Sequence, residues 1–111
     1  MAYRSRAKEV DILRFTGDLN AVAMVRLKNR LSRLLKKNHK KLLLDLSRAR
    51  HVELAGLGIL VDRLRRVRAQ KGDIKLCNTH PEVEKELKLI GVSGLIESFP
   101  TEEEAIRSFV A

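Results

Sequence analysis

Three histidines, one cysteine and a closely spaced glycine pair are the residues of this 111-residue chain best equipped for chemistry. A histidine serves as a general base or metal ligand only with a nucleophile, an acid or further ligands beside it. His51 has no such nucleophile in its surroundings. His39 follows a polar break at Asn38 and stands at no metal-site spacing from a second His, Cys or carboxylate. His80 precedes Pro81 at what reads as a helix start. Cys77 closes the run Ile74-Lys-Leu-Cys77, where a small buried hydrophobe is expected, and a single cysteine cannot form an intramolecular disulfide. The sequence therefore assigns no catalytic residue, predicts no metal site and gives no reason to expect an enzyme.

Gly56 and Gly58 flank Leu57 where the apolar periodicity changes. A chain leaving a sheet there can turn sharply and begin a helix with exposed amides, which would suit a partner or an anion. The alternative is a pair of glycines that only lets a loop pass close to the sheet. A phosphate-binding loop would end in Lys-Ser or Lys-Thr, whereas Ile59-Leu60 follow here, so no nucleotide cofactor is expected.

The surrounding pattern supplies the frame. Val10, Ile12 and Phe15 mark a strand with both faces partly covered. Thr16 to Asn20 form a turn, with Asn20 or Asp18 capping a helix whose inner stripe is Met24, Leu27, Leu31, Leu34 and Leu35. Lys41 to Leu46 is apolar enough for a central strand. Leu57, Leu60, Val61, Leu64 and Val67 predict a second helix that begins after the glycines. Asp73 to Cys77 forms another strand, and Thr79 or His80 caps a helix with Val83, Leu87 and Ile90 inward, stopped at Gly91. Leu95 to Phe99 is read as a last strand. Thr101-Glu-Glu-Glu104 is a capping box for the final helix, whose early acids suit the macrodipole. The order predicts one α/β domain over 1–111, with a mostly parallel sheet of four to five strands, about four helices, and residues 1–9 as an N-terminal strand or arm.

Charge is distributed unevenly. Residues 1–72 carry 19 Lys and Arg against 6 Asp and Glu, whereas residues 73–111 carry 4 against 8. The first helix reads as almost purely basic outside, through residues such as Arg26, Arg30, Arg33 and Lys37. Such a face suits an acidic protein, nucleic acid or anionic lipid, or simply keeps the chain solvated. Tyr3 is the single tyrosine and tryptophan is absent, which disfavours base stacking. No apolar run reaches the ~18 residues of a membrane span, and the first ten residues lack the apolar core of a secretory signal; a cytoplasmic address is the expectation.

With these motifs in order, the sequence resembles the STAS domain, specifically the bacterial anti-sigma-factor antagonists. Gly17-Asp-Leu-Asn20 is similar to that family's Gly-Glu-Leu-Asp, and Leu42-Leu-Leu-Asp-Leu46 to its Val-Leu-Asp-Leu strand. Val52-Glu-Leu-Ala-Gly-Leu-Gly58 is similar to Ile-Asp-Ser-Ser-Gly-Leu-Gly. His80-Pro-Glu-Val83, Leu87-Lys-Leu-Ile-Gly-Val92 and Glu103-Glu-Ala-Ile106 match its Ser-Pro-x-Val, Leu-x-Leu-Thr-Gly-Leu and Glu-Glu-Ala-Leu.

The resemblance implies a switch in which the free hydroxyl of the Ser before Gly-Leu-Gly permits binding to an anti-sigma factor that is also a kinase. Phosphorylation adds ~ −1.5 to −2 charges there and breaks the complex. Here Ala55 replaces that Ser, Leu54 the Ser before it, Glu53 the preceding Asp, and Asn20 the Asp of the first turn. The resemblance thus implies docking through Asn20, Glu53, Leu54, Ala55, Gly56, Leu57 and Gly58 on an anti-sigma kinase or another acidic-faced regulatory protein, with no phosphoacceptor at position 55. Ser47 and Thr79, the nearest hydroxyls, are expected in structural roles. The alternatives are a STAS subunit of a larger assembly, such as a signalling scaffold or a phospholipid-trafficking ABC transporter, and direct binding of nucleic acid or anionic membrane. A homodimer is compatible with any of these.

Overall fold

The computed structural model describes the backbone of residues 2–110 and the side chains of residues 6–110. The two ends of the expected 1–111 domain, Met1 and Ala111, lie outside the described residues. The elements run β1 (Ala2–Ala7), β2 (Val10–Arg14), α1 (Ala21–Lys36), β3 (Lys41–Asp45), α2 (Leu54–Ala69), β4 (Asp73–Cys77), α3 (Pro81–Ile90), β5 (Ser98–Phe99) and α4 (Glu102–Val110). The strands lie side by side in chain order, β1 antiparallel to β2 and every later pair parallel.

Strand alternation explains why so many consecutive residues are apolar. Leu13, Phe15, Leu42, Leu44, Ile74 and Leu76 face one side, where the stripes of α1, α2 and α3 close over them. Val10, Ile12, Leu43 and Cys77 face the other, where α4 lays Ala105, Ile106 and Phe109 against them. Lys75 is buried on that second side: its Nζ donates to Ser108 Oγ at 2.8 Å and stands 4.4 Å from the centre of the Phe109 ring. Its ammonium thus keeps a hydrogen bond and an aromatic face while its stem fills the core.

β1 and β2 are joined by Lys8 and Glu9, both in the left-handed region at φ of 51° and 66°. Two consecutive left-handed residues match the twist of a tight hairpin, although neither is the Asn or Gly that usually takes those positions.

Three expectations need correction. Helix α2 starts at Leu54, so Gly56 and Gly58 lie inside its first turns; the change of direction is made earlier, by the loop ending at Glu53. Only Ser98 and Phe99 of the last predicted strand pair with β4, because Ser93 to Leu95 turn before reaching the sheet. Ile90 is 38 % exposed rather than inward, the inner stripe of α3 being Val83 and Leu87; Gly91, at φ 92°, ends the helix as expected.

Candidate functional site

In a parallel α/β sheet the strand carboxyl ends and helix amino ends share one edge of the molecule, and there the residues singled out by sequence come together. Leu19 and Val52 form a short parallel bridge beyond β2 and β3. Leu19 N–H donates to the His51 carbonyl and Glu53 N–H to the Leu19 carbonyl, each at 3.0 Å. The two loops therefore act as one unit.

Asn20 is the cap of α1: its Oδ1 accepts from Ala23 N–H at 2.9 Å. Asp18, the other candidate, instead binds the second loop, accepting from Arg50 N–H at 2.8 Å and His51 N–H at 3.1 Å. The Arg50 amide, with further help from His51, outweighs desolvation and holds the Asp18 carboxyl below its ordinary range. Glu53 occupies the capping position of α2 without capping it; its Oε2 accepts from Ala21 N–H at 3.3 Å, the first amide of α1. One carboxylate of the second loop thus meets the amino end of the first helix.

The third side of the frame is α3, whose contribution was not anticipated. Glu86 accepts from Val52 N–H at 2.9 Å and lies 3.4 Å from His51 Nδ1, and Glu82 pairs with Arg50 at 2.9 Å. The Arg50 hydrogen bond, followed by its charge, keeps the Glu82 carboxyl below its ordinary range despite desolvation. His80 sits at the helix cap but caps nothing with its side chain; its Nε2 lies 2.6 Å from the Ser47 carbonyl. Thr79 pairs with Ser98 at 3.3 Å and is not the cap. The spacing of Glu82 and Glu86, four apart on one helix face, opposite the adjacent pair Arg50-His51, is the sequence signal that could have found this clamp.

The clamped loop presents the start of α2. Leu54 is 70 % exposed, Ala55 and Gly58 are exposed, and Gly56 and Leu57 are buried. The two glycines have different physical reasons. A Cβ on Gly56 would lie 2.9 Å from Met24 Cγ and 3.0 Å from the Leu19 carbonyl oxygen, so α1 and its preceding loop pack where a side chain would be. A Cβ on Gly58 would meet nothing within 4 Å, so the fold does not require glycine there. At the same edge of the molecule the first turns of α1 expose Val22 (64 %) and Val25 (47 %). The outer face of α1 is therefore apolar at its start, and basic only from Arg26 onward. Arg33 and Lys37 are exposed, and Arg30 is half-buried with an interaction of its own.

No hydroxyl stands at position 55, and Ala55 offers only a methyl group. Donor atoms of Asp45, Cys77 and Glu102 lie within 4.8 Å of one another below α4, a set that could in principle hold a metal. Asp45 is already engaged there: it accepts from Ser47 N–H at 3.0 Å and faces Asn78, with Arg14 Nε at 3.6 Å. Burial pushes its carboxyl up, but these hydrogen bonds and the Arg14 charge prevail and hold it below the ordinary range. Its charge is thus balanced within the fold, as in an internal ion pair. No helix is long and apolar enough to cross a membrane among the described residues.

Fold and site together define a small, mostly parallel α/β domain that exposes apolar side chains at the amino ends of two adjacent helices. The chain belongs to the STAS domain family, whose model matches residues 5–105. Its fold is similar to that of a putative anti-sigma factor antagonist from Thermotoga maritima, with a TM-score of 0.89 at 23 % identity over 99 % of this chain and 94 % of that one. The unphosphorylated anti-sigma factor antagonist SpoIIAA, a Bacillus cell fate determinant, matches with a TM-score of 0.74 at 21 % identity over 96 % and 94 % of the two chains. A sulfate transporter family protein from Wolinella succinogenes matches with a TM-score of 0.82 at 16 % identity over 96 % and 89 %. At these identities the likeness establishes the fold.

Proposed function

We propose that this protein is a non-enzymatic docking module of the anti-sigma-factor-antagonist type, which binds a regulatory partner through the first turns of α1 and α2 without phosphorylation at position 55. The observation that carries this reading is Gly58: an exposed helical glycine costs about 1 kcal/mol relative to alanine, and no packing within the chain accounts for it. A partner surface approaching closely would account for it. Leu54 and Ala55 supply apolar area at the start of α2, Val22 and Val25 at the start of α1, and the cations from Arg26 onward suit a partner with an acidic rim, such as an anti-sigma factor of the kinase type. Capture of partners on the immobilised full chain tests the reading. Ala55→Glu is expected to weaken the captured complex about tenfold or more by desolvating an unpaired charge. Undiminished binding would overturn it.

A second reading, a subunit of a larger assembly, is favoured by another exposed apolar group, Leu89 (77 %), Ile90 (38 %) and Leu95 (45 %), at the end of α3. It predicts co-purification with fixed stoichiometry, read by light scattering, with loss on Leu89→Lys.

A further inference from the structure

The far end of the molecule, where β2 and β3 begin and α1 finishes, holds a cleft of about 330 Å3 between the hairpin and the loop following α1. Arg6 of β1, Lys37 at the end of α1, His39 and Lys40 of the loop and Lys41 of β3 line it, and Glu9 is the acid among its lining residues. Lys41 Nζ stands 3.7 Å from Glu9. Behind the wall the buried Asp11 lies 3.1 Å from His39 Nδ1 and 3.5 Å from Arg6 Nε. Among the described residues no carboxylate stands within ion-pair distance of Lys37 or Lys40.

Among the described residues, four permanent cations at the cleft are thus set against Glu9 and the underlying Asp11, leaving a local excess of two positive charges even with His39 neutral. The carboxyl end of α1 does not absorb it. A helix end carries only about half a negative charge, and the Leu34 and Leu35 carbonyls already accept the amides of Lys37, Asn38 and His39. The volume falls within the range of small-molecule sites, roughly 300–1,000 Å3, and a wall this polar excludes an apolar occupant.

We propose that this cleft binds a ligand carrying two or more phosphate groups, either a soluble polyphosphorylated compound or a phosphorylated lipid headgroup. A phosphate monoester carries about −1.5 to −2 charges, so one such group already balances the excess, and cations supplied by separate elements leave donors to hold a second. The cleft is separated from the start of α2 by the length of α1, about 24 Å for its 16 residues, so the proposal stands independently of partner docking.

Titration calorimetry with pyrophosphate and with inositol hexakisphosphate at low ionic strength tests it, alongside sedimentation with phosphatidylcholine vesicles with and without phosphatidylinositol bisphosphate. The double variant Lys37→Gln/Lys40→Gln removes the two cations without a carboxylate partner. Arg65→Gln/Lys85→Gln removes the same charge from exposed positions on α2 and α3. Binding is expected to weaken about tenfold or more in the first and less than about twofold in the second, both keeping the wild-type circular dichroism spectrum. Binding of the soluble probes alone assigns a soluble ligand. Sedimentation with the phosphorylated lipid, reversed by inositol hexakisphosphate, assigns a headgroup. No binding of any probe, or equal losses in the two double variants, would overturn the proposal.

Discussion

The contrast between two alanine substitutions two residues apart gives the sharpest physical test of the site. At Gly56 an added methyl group would lie 2.9 Å from Met24 Cγ, in the middle of a fully buried side chain, and 3.0 Å from the backbone oxygen of Leu19. That oxygen accepts the Glu53 amide, so moving it disturbs the bond that joins the two loops. Overpacking of this kind costs about 1–3 kcal/mol, against which alanine returns up to about 1 kcal/mol of helix propensity. Gly56→Ala is therefore expected to be destabilised, by about 1 kcal/mol at the centre of the range. At Gly58 the methyl group meets no neighbour, so only the propensity gain remains, about 0.5–1 kcal/mol of stabilisation. The two variants should differ by about 2 kcal/mol, or roughly 8 °C in Tm for a domain of this size. The chain has no tryptophan, so urea and thermal unfolding are best followed by far-ultraviolet circular dichroism. If Gly56→Ala were as stable as wild type, the packing argument would fail. If Gly58→Ala stabilised the fold while leaving partner capture intact, the functional meaning attached to that glycine would fail instead.

Further outcomes follow from the surrounding bonds. Ala55→Glu places an acid in the first turn of α2, where the macrodipole favours it by about 0.3–1 kcal/mol, so its unfolding midpoint should hold or rise while docking weakens; a lowered midpoint would refute the assignment of that position to an open surface. Asp18→Asn removes a carboxyl whose pKa is depressed in the folded state. The lost stability should be fully present above the ordinary carboxylate pKa of about 4 and vanish as pH falls through the lower folded value; a deficit independent of pH in denaturant titrations would contradict it. Glu86→Ala leaves the Val52 amide without its acceptor, and a loss of about 1 kcal/mol with faster amide exchange at Val52 is expected; unchanged exchange would show that the clamp is not formed. Lys75→Met replaces a buried cation by an apolar side chain of similar length and should leave stability within about 1 kcal/mol of wild type or raise it; a loss of several kcal/mol would mean that the ammonium's contacts with Ser108, Glu97 and the Phe109 ring together outweigh its desolvation.

The elements were legible where one physical signal dominated. A near-continuous apolar run marked β3, Asn20 and Gly91 marked helix ends, and the stripes of α1 and α2 gave most of their buried faces. What escaped depended on contacts between distant segments. Gly56 looked like turn chemistry because a glycine required by a crossing backbone is indistinguishable in sequence from one required by a dihedral angle. Val22 and Val25 are masked in sequence by the basic residues of α1, although their offset from the Met24, Leu27 and Leu31 stripe places them outside. The Lys8-Glu9 turn has no compositional mark at all, since neither residue favours left-handed backbone. Most site residues, Glu53 to Gly58, are contiguous in sequence, but their support by α3 has only the four-residue spacing of Glu82 and Glu86 to announce it, and the contact of His80 with the Ser47 carbonyl has no sequence signal.

That support has a consequence for the kinetics of recognition. Asp18, Glu53, Glu82, Glu86 and His80 hold the loop before α2 from three directions, through bonds within this chain alone. A surface fixed in this way has little conformational entropy left to lose on association and no slow ordering step before it. With a methyl group at position 55 in place of a hydroxyl, it also has one chemical state at that point. Under the proposed docking, the fraction of partner engaged would then follow mass action, rising smoothly with the abundance of the protein, and such a module would work as a titrant whose output is set by concentration and dissociation rate.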